Sequence, residues 1–278
     1  MPGTLYVVAT PVGNLGDLSQ RAAELLRTVP VVAAEDTRHS HTLLQHLGAR
    51  PRLISFHAHS PEHRLETLIE ILRHGEDVAL ISDAGTPVVS DPGASLVQAV
   101  REAGIKVIPL PGPSAVTTAL SAAGLPADRY LFLGFLPRKG GERKRLLAQA
   151  AASAWTVVFY EAPPRLVDLL TDLAEVAGAD RNAVVARELT KVYEEFRAGT
   201  LAELAQHFQA VEPRGELTVL MGGLGVIPAA PAASPEEAAT MAADLLAGGQ
   251  TRKDAVRELV ERLGLSRNDA YRIVMELK

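Results

Sequence analysis

Short continuous apolar runs, each followed by a segment with apolar residues at helical spacing, set the pattern of this chain. Residues 5–9 (Leu-Tyr-Val-Val-Ala), 31–34, 53–56, 78–81 and 106–109 read as strands, and residues 19–28, 39–47, 62–74 and 94–103 as the helices between them. The strand runs are apolar throughout rather than alternating, which predicts a mainly parallel sheet covered on both faces. Pro109-Leu110-Pro111-Gly112-Pro113 then breaks the pattern, and a boundary is expected there between a lobe over 1–112 and a second over 113–225. In the second lobe, strands are expected at 130–133, 156–160, 183–186 and 217–221. Helices are expected at 114–123, after Glu142, at 164–176 and at 201–208. Two successive α/β lobes joined by a proline-rich crossover imply a cleft between them.

Residues 226–235 are rich in proline and alanine and read as a semi-rigid linker. A helical module over 236–278 follows. Thr251 stands where an N-cap belongs, three residues before Asp254, and Ala255, Val256, Leu259, Val260 and Leu263 repeat at helical spacing. Gly264 suits a helix end, Ser266 suits the next cap, and Ala270, Tyr271, Val274 and Leu277 are expected to face inward. This is a helix-turn-helix pattern, read first as a packing or dimer element rather than a reader of nucleic acid.

Composition narrows the chemistry. Of 278 residues, 47% are hydrophobic and only 4% aromatic, so the core is aliphatic. The absence of cysteine excludes disulfides, zinc-thiolate sites, iron–sulfur clusters and a thiol nucleophile. Met1-Pro2-Gly3-Thr4 leads straight into the first strand, and no apolar run is long enough to span a bilayer, so a soluble cytoplasmic protein is expected. The formal charge of −5 means that any nucleic-acid contact must come from a local patch.

The candidate chemistry sits at strand ends. Ser82-Asp83-Ala84-Gly85-Thr86-Pro87-Val88-Val89-Ser90-Asp91-Pro92-Gly93 joins a buried strand to a helix, where open α/β proteins bind ligands. Gly13-Asn14-Leu15-Gly16 after the first strand is not the G-x-G-x-x-G fingerprint, and no P-loop occurs, so neither a standard NAD site nor a P-loop NTPase is supported. Glu35 and Asp36 end a strand that faces the expected cleft. Glu188, Lys191 and Glu194 form a charged group at another strand end, where a lysine of lowered pKa would serve as a base. His57, His59 and His63 lack a convincing ligand partner beyond Glu62, and no metal site is expected. Arg138, Lys139, Arg143, Lys144 and Arg145 crowd eight residues and are the best candidates for phosphate contacts.

Several ordered segments carry a resemblance. They are Ala9-Thr10-Pro11-Val12-Gly13-Asn14-Leu15-Gly16-Asp17, Ala34-Glu35-Asp36-Thr37-Arg38, Ser55-Phe56-His57-Ala58-His59, the 82–93 loop and Pro111-Gly112-Pro113-Ser114-Ala115. Gly134-Phe135-Leu136-Pro137-Arg138-Lys139-Gly140, Phe159-Tyr160-Glu161, Ala186-Arg187-Glu188-Leu189-Thr190-Lys191 and Gly215-Glu216-Leu217-Thr218 continue it through the second lobe. The chain resembles the tetrapyrrole methylase superfamily, and within it the branch that methylates the 2′-hydroxyl of a cytidine in the decoding region of 16S rRNA. The resemblance departs at Pro164, a position often histidine in that branch, so no histidine role is expected there.

It implies two α/β/α lobes with a cofactor cleft between them and a small C-terminal helical module. It also implies S-adenosylmethionine as cofactor, 16S rRNA or the small ribosomal subunit as partner, and a homodimer. Carried onto this sequence, the cofactor residues are Pro11, Gly13, Asn14, Asp83, Ala84, Gly85, Thr86, Pro87, Ser114 and Ala115. The catalytic candidates remain Glu35, Asp36 and Lys191. Two alternatives stay open: C-methylation of a tetrapyrrole, against which the basic segment and the helical module weigh, and a non-catalytic RNA-binding assembly factor.

Overall fold

Buried runs build the first sheet. In the computed structural model, which describes residues 1–58, 60–225, 235–263 and 267–276, these runs become β1 (Thr4–Val8), β2 (Val31–Ala34), β3 (Arg52–Ser55), β4 (Val78–Ile81) and β5 (Lys106–Leu110). They pair in the order β3-β2-β4-β1-β5, and every pair is parallel. Helices α1 (Gln20–Thr28) and α2 (Thr37–His46) cover one face, and α3 (Glu62–Arg73) and α4 (Ala94–Glu102) the other. Within β4, Val78 and Leu80 turn to one core while Ala79 and Ile81 turn to its opposite, so all four residues are buried. That double burial explains why the run shows no alternation.

β1 and β4 are neighbours, yet α1 leaves one sheet face and α4 the other. The chain therefore parts in opposite directions at their carboxyl ends. Open α/β sheets place ligands at such a switch point.

The second sheet departs from the parallel expectation. Its strands are β6 (Tyr130–Phe135), β7 (Thr156–Glu161), β8 (Asn182–Arg187), β9 (Glu195–Thr200) and β10 (Leu217–Met221), in the order β6-β7-β10-β8-β9. Only β6 and β7 run parallel; the other three pairings are antiparallel. α6 (Gly141–Ala151), α7 (Leu166–Ala177) and α8 (Leu201–Ala210) pack on one face, and α5 (Ala115–Ala122) on the other. Strand direction was hidden because β7, β8 and β10 are buried on both faces, and burial alone does not encode direction. β9 escaped the sequence pattern because it is a polar edge strand, with Glu195 paired to Arg187 and Arg197 at 3.1 Å each.

Residues 1–151 and 155–222 form one compact unit that contains both sheets; residues 152–154 and 223–278 belong to a second. The second unit holds α9 (Pro235–Ala247), α10 (Arg252–Leu263) and α11 (Arg267–Glu276) around Ala242, Ala255, Leu259, Ala270 and Val274. Thr251 caps α10 as expected, its hydroxyl oxygen accepting the Asp254 N–H at 3.2 Å. Tyr271, expected to face inward, is 56% exposed instead, because Ala270 and Val274 already fill that side of α11. Gly264, Ser266, Leu277, His59 and nearly all of the expected linker lie outside the described residues. No helix among the described residues is long and apolar enough to cross a membrane.

Candidate active site

Backbone pairing holds the two ligand loops of the first lobe together. The Thr10 N–H donates to the Gly85 carbonyl at 2.8 Å, and the Gly85 N–H returns to the Thr10 carbonyl at 3.1 Å. Gly85 has φ +78°, a left-handed conformation that a side chain would strain. The Thr86 hydroxyl donates to the Pro113 carbonyl at 3.0 Å, which fastens the third loop, and the Asp36 N–H donates to Asp83 Oδ1 at 3.1 Å. Among the described residues, the non-glycine positions with positive φ are Val88 and Ser90 in this loop and Glu188 and Thr190 in a loop of the second lobe. Such strain costs about 1–3 kcal/mol per residue and gathers where a loop's shape is used.

The second-lobe loop is fixed by charge. Lys191 Nζ donates to Glu188 Oε1 at 2.8 Å and to Glu216 Oε2 at 3.1 Å, and Glu188 Oε1 also accepts the Glu216 N–H at 3.1 Å. Glu194 closes the turn by accepting the Thr190 N–H at 2.6 Å. Burial works against the Lys191 ammonium, but its two carboxylate partners outweigh burial and hold its pKa above the ordinary value. The expectation of a lowered pKa is therefore corrected: the shift is upward, and Lys191 ties Glu188 to Glu216.

Between the lobes lies a cavity of about 430 Å³. Glu35, Asp83, Ala84, Gly85, Thr86, Ser114 and Ala115 line it from the expected set; Pro11, Gly13, Asn14, Asp36, Pro87 and Lys191 do not. Asp36 instead caps α2, accepting the Arg38 N–H at 2.8 Å, and the Arg38 guanidinium holds its carboxyl far below the usual carboxylate range. Asn14 caps a short turn, its side-chain oxygen accepting the Gly16 N–H.

Sequence reasoning missed Asp91, Phe135, Tyr160 and Glu161, which also line the cavity. Burial raises the pKa of Glu35, with Asp91 and Asp83 adding like charge, and burial likewise raises Asp91. The Tyr160 phenol is pushed up to about 12 by burial and the nearby Asp91 charge. Glu161 has a fully buried side chain. Its Oε1 accepts the Ala162 N–H at 2.9 Å and lies 3.1 Å from Arg165 Nε, whereas Oε2 has no hydrogen-bond partner. Burial raises its pKa against the pull of Ala162 and Arg165. The cavity wall carries five carboxyl groups, with Glu216 the fifth, and neither lysine nor arginine. It is built for a cationic ligand. A signal existed in the sequence: Tyr160 and Glu161 end the apolar run of β7, the same strand-end position that singled out Glu35.

In the basic segment, Arg138, Lys139, Lys144 and Arg145 are exposed. Arg143 is not a phosphate ligand. It is buried, donates through Nε and Nη2 to Asp172 Oδ2 at 2.8 and 2.6 Å, and donates through Nη1 to the Pro137 carbonyl at 3.0 Å. No group of three or more His, Cys, Asp or Glu side chains suited to a metal occurs among the described residues.

A family model described as Tetrapyrrole (Corrin/Porphyrin) Methylases matches residues 4–205. The chain belongs to the tetrapyrrole methylase family. Within that family, ribosomal RNA small subunit methyltransferase I of Synechocystis sp. is 45% identical over 276 residues, 99% of each chain. The protein of that name from Xylella fastidiosa is 51% identical over 224 residues, 80% of this chain and 82% of its own. Among solved tetrapyrrole methylases, the cobalt precorrin-4 methyltransferase matches with a TM-score of 0.62 and 19% identity, over 79% of this chain and 94% of its own. A uroporphyrin-III C-methyltransferase from Thermus thermophilus complexed with S-adenyl homocysteine matches with a TM-score of 0.58 and 21% identity, over 79% and 97%. At such identities the two structures speak for the fold.

Proposed function

We propose that this protein methylates small-subunit ribosomal RNA at the 2′-hydroxyl of a decoding-region cytidine, with S-adenosylmethionine as donor. The observation that carries the donor is the acid-lined cavity with its unpartnered Glu161 oxygen. The substrate assignment is supported by the relatives, whose names specify small-subunit rRNA.

The residues present fit this donor. S-adenosylmethionine carries a net positive charge, and a wall with Glu35, Asp83, Asp91 and Glu161 and no basic side chain compensates it. Small residues at Ala84, Gly85, Ser114 and Ala115 let the backbone come close. Bound there, it supplies an electrophilic methyl on a sulfonium, and transfer leaves a neutral thioether and frees the hydroxyl proton.

Glu35 and Glu161 have raised pKa values, which improves a carboxylate as acceptor of that proton. Phe135, 55% exposed and 5.5 Å from Tyr160 ring to ring, offers a stacking face at the mouth of the cavity. Arg138, Lys139, Lys144 and Arg145 contact RNA phosphates beside it. The protein acts in the cytoplasm as a homodimer, which sedimentation tests.

The deciding experiment incubates the protein with labelled S-adenosylmethionine and small subunits that lack the modification, then maps the product by nuclease digestion and mass spectrometry. A single 2′-O-methylcytidine is expected. Transfer to a tetrapyrrole instead, or cofactor binding without transfer to any ribosomal particle, overturns the reading.

A further inference from the structure

The second unit carries a groove that the methylase chemistry does not use. It runs between α10 and α11 with a volume of about 560 Å³, on a floor of Val256, Val260 and Val274. Arg252, Lys253 and Arg257 line it, and no acidic side chain does, in a chain whose formal charge is −5. Tyr271 and Met275, 56% and 45% exposed, stand on its α11 side. Arg252 Nη1 lies 3.6 Å from Met275 Sδ across the groove. Arg257 is held by Asp254 at 3.1 Å and keeps 61% of its side chain exposed.

We infer that this groove binds a single-stranded segment of RNA, with Arg252, Lys253 and Arg257 on its phosphates and Tyr271 stacked on a base. Three cations beside an exposed aromatic ring on an apolar floor is the combination by which proteins hold single strands without reading sequence. Charge favours a polyanion, whose repeated phosphates meet all three cations of this lining.

A second observation points the same way. The family model ends at residue 205, before the helices of this unit begin, and the tetrapyrrole-acting neighbours match only 79% of the chain while covering 94–97% of themselves. Of the relatives named for small-subunit rRNA, the Synechocystis protein matches 99% of the chain, so the unit recurs in a protein of that name, while the Xylella match covers 80%. The inference rests on the proposed rRNA reading, and adds a distinct anchoring site to it.

The test uses the full chain and a fluorescent single-stranded oligocytidylate of about twelve nucleotides, a length within the usual site size. Anisotropy is read across a salt series. Replacing Arg252, Lys253 and Arg257 together with Gln should weaken binding by about tenfold or more and flatten the log–log salt slope by about 2, since each phosphate contact on a single strand contributes about 0.7. Tyr271→Ala should weaken binding by about tenfold while leaving the slope unchanged, and Tyr271→Phe should restore it.

S-adenosylmethionine affinity, measured by calorimetry on the same variants, should not move, which shows that the first unit remains folded. Circular dichroism melting checks the helices of the second unit. Unchanged RNA affinity and slope in the folded triple variant overturn the inference. Lost binding to small subunits with intact oligonucleotide binding also overturns it, in favour of a ribosomal protein as occupant. Methyl transfer to subunits by the wild-type chain is scored separately, so failure of the rRNA reading and failure of the groove are told apart.

Discussion

Gly13 and Lys191 meet with no room for a β-carbon between them: one built on Gly13 would stand 2.4 Å from Lys191 Cγ and 2.9 Å from the Leu189 carbonyl oxygen. The two residues belong to loops of different lobes, and the contact lets Lys191 reach Glu188 and Glu216. Protein packing therefore requires a glycine here, and Gly13 does not line the cavity.

Gly13→Ala should accordingly weaken S-adenosylmethionine binding by displacing the Lys191 loop. Adding Lys191→Ala should recover part of that loss, because the 2.4 Å contact disappears while the one with the Leu189 carbonyl persists. Calorimetry on the double-mutant cycle should give a coupling of about 0.5–3 kcal/mol, the usual range for residues in contact. Strict additivity would show that the two loops do not act through each other.

The parallel first lobe was legible because each doubly buried strand reads as an unbroken apolar run. The mixed second sheet was not, since β10 is as apolar as β4 and nothing in Leu217-Thr218-Val219-Leu220-Met221 encodes its direction. At the site, the glycine- and proline-marked loops stood out, and six of the twenty residues lining the cavity were found from them. Asp91 and Glu161 did not stand out, because a lone carboxyl is informative only once its burial is known. Arg143 was misjudged for the same reason: in sequence it is one of five clustered cations, and only packing against Asp172 removes it from the surface.

The basic segment should therefore split under substitution. Arg143→Ala should destabilise the protein by about 1–3 kcal/mol, less than for a fully buried pair because Asp172 keeps 37% of its side chain exposed. Lys139, Lys144 and Arg145 changed together to Gln should leave stability within about 0.5 kcal/mol and weaken binding to small subunits, more so at low salt. Chemical denaturation and filter binding on both variants separate the two roles. Equal loss of RNA affinity with no loss of stability in Arg143→Ala would return that arginine to the RNA surface.

Glu161 Oε2 is buried without a hydrogen-bond partner on the wall of the cavity, so under the proposed function the bound donor is expected to supply one. Glu161→Gln preserves shape and removes charge. Affinity for S-adenosylmethionine should fall by about tenfold, about 1.4 kcal/mol, while affinity for neutral-sulfur S-adenosylhomocysteine should fall less. Paired calorimetric titrations measure the ratio. An equal fall for both ligands would mean that Glu161 contacts a part they share rather than the charged sulfur.

The raised pKa of Glu35 fixes the sign of a pH effect. Its carboxyl is pushed above the ordinary value by burial, then by Asp91 and Asp83, so the folded state holds this proton more tightly than the unfolded chain. The stability it contributes is present below the unfolded pKa and is lost as pH rises through the folded one. Without ligand, Glu35→Gln should therefore raise the melting temperature near neutral pH, and the gain should vanish as pH falls into the carboxylate range. Cofactor affinity runs the other way, because the cation needs the ionised form. Wild-type affinity for S-adenosylmethionine should drop as pH falls from neutral through the titration of the raised carboxyls, and the drop should be shallower in Glu35→Gln. Melting curves and calorimetry over that range read both arms. A flat wild-type affinity with a pH-independent stability difference would show that Glu35 keeps its proton balance unchanged on folding and on binding.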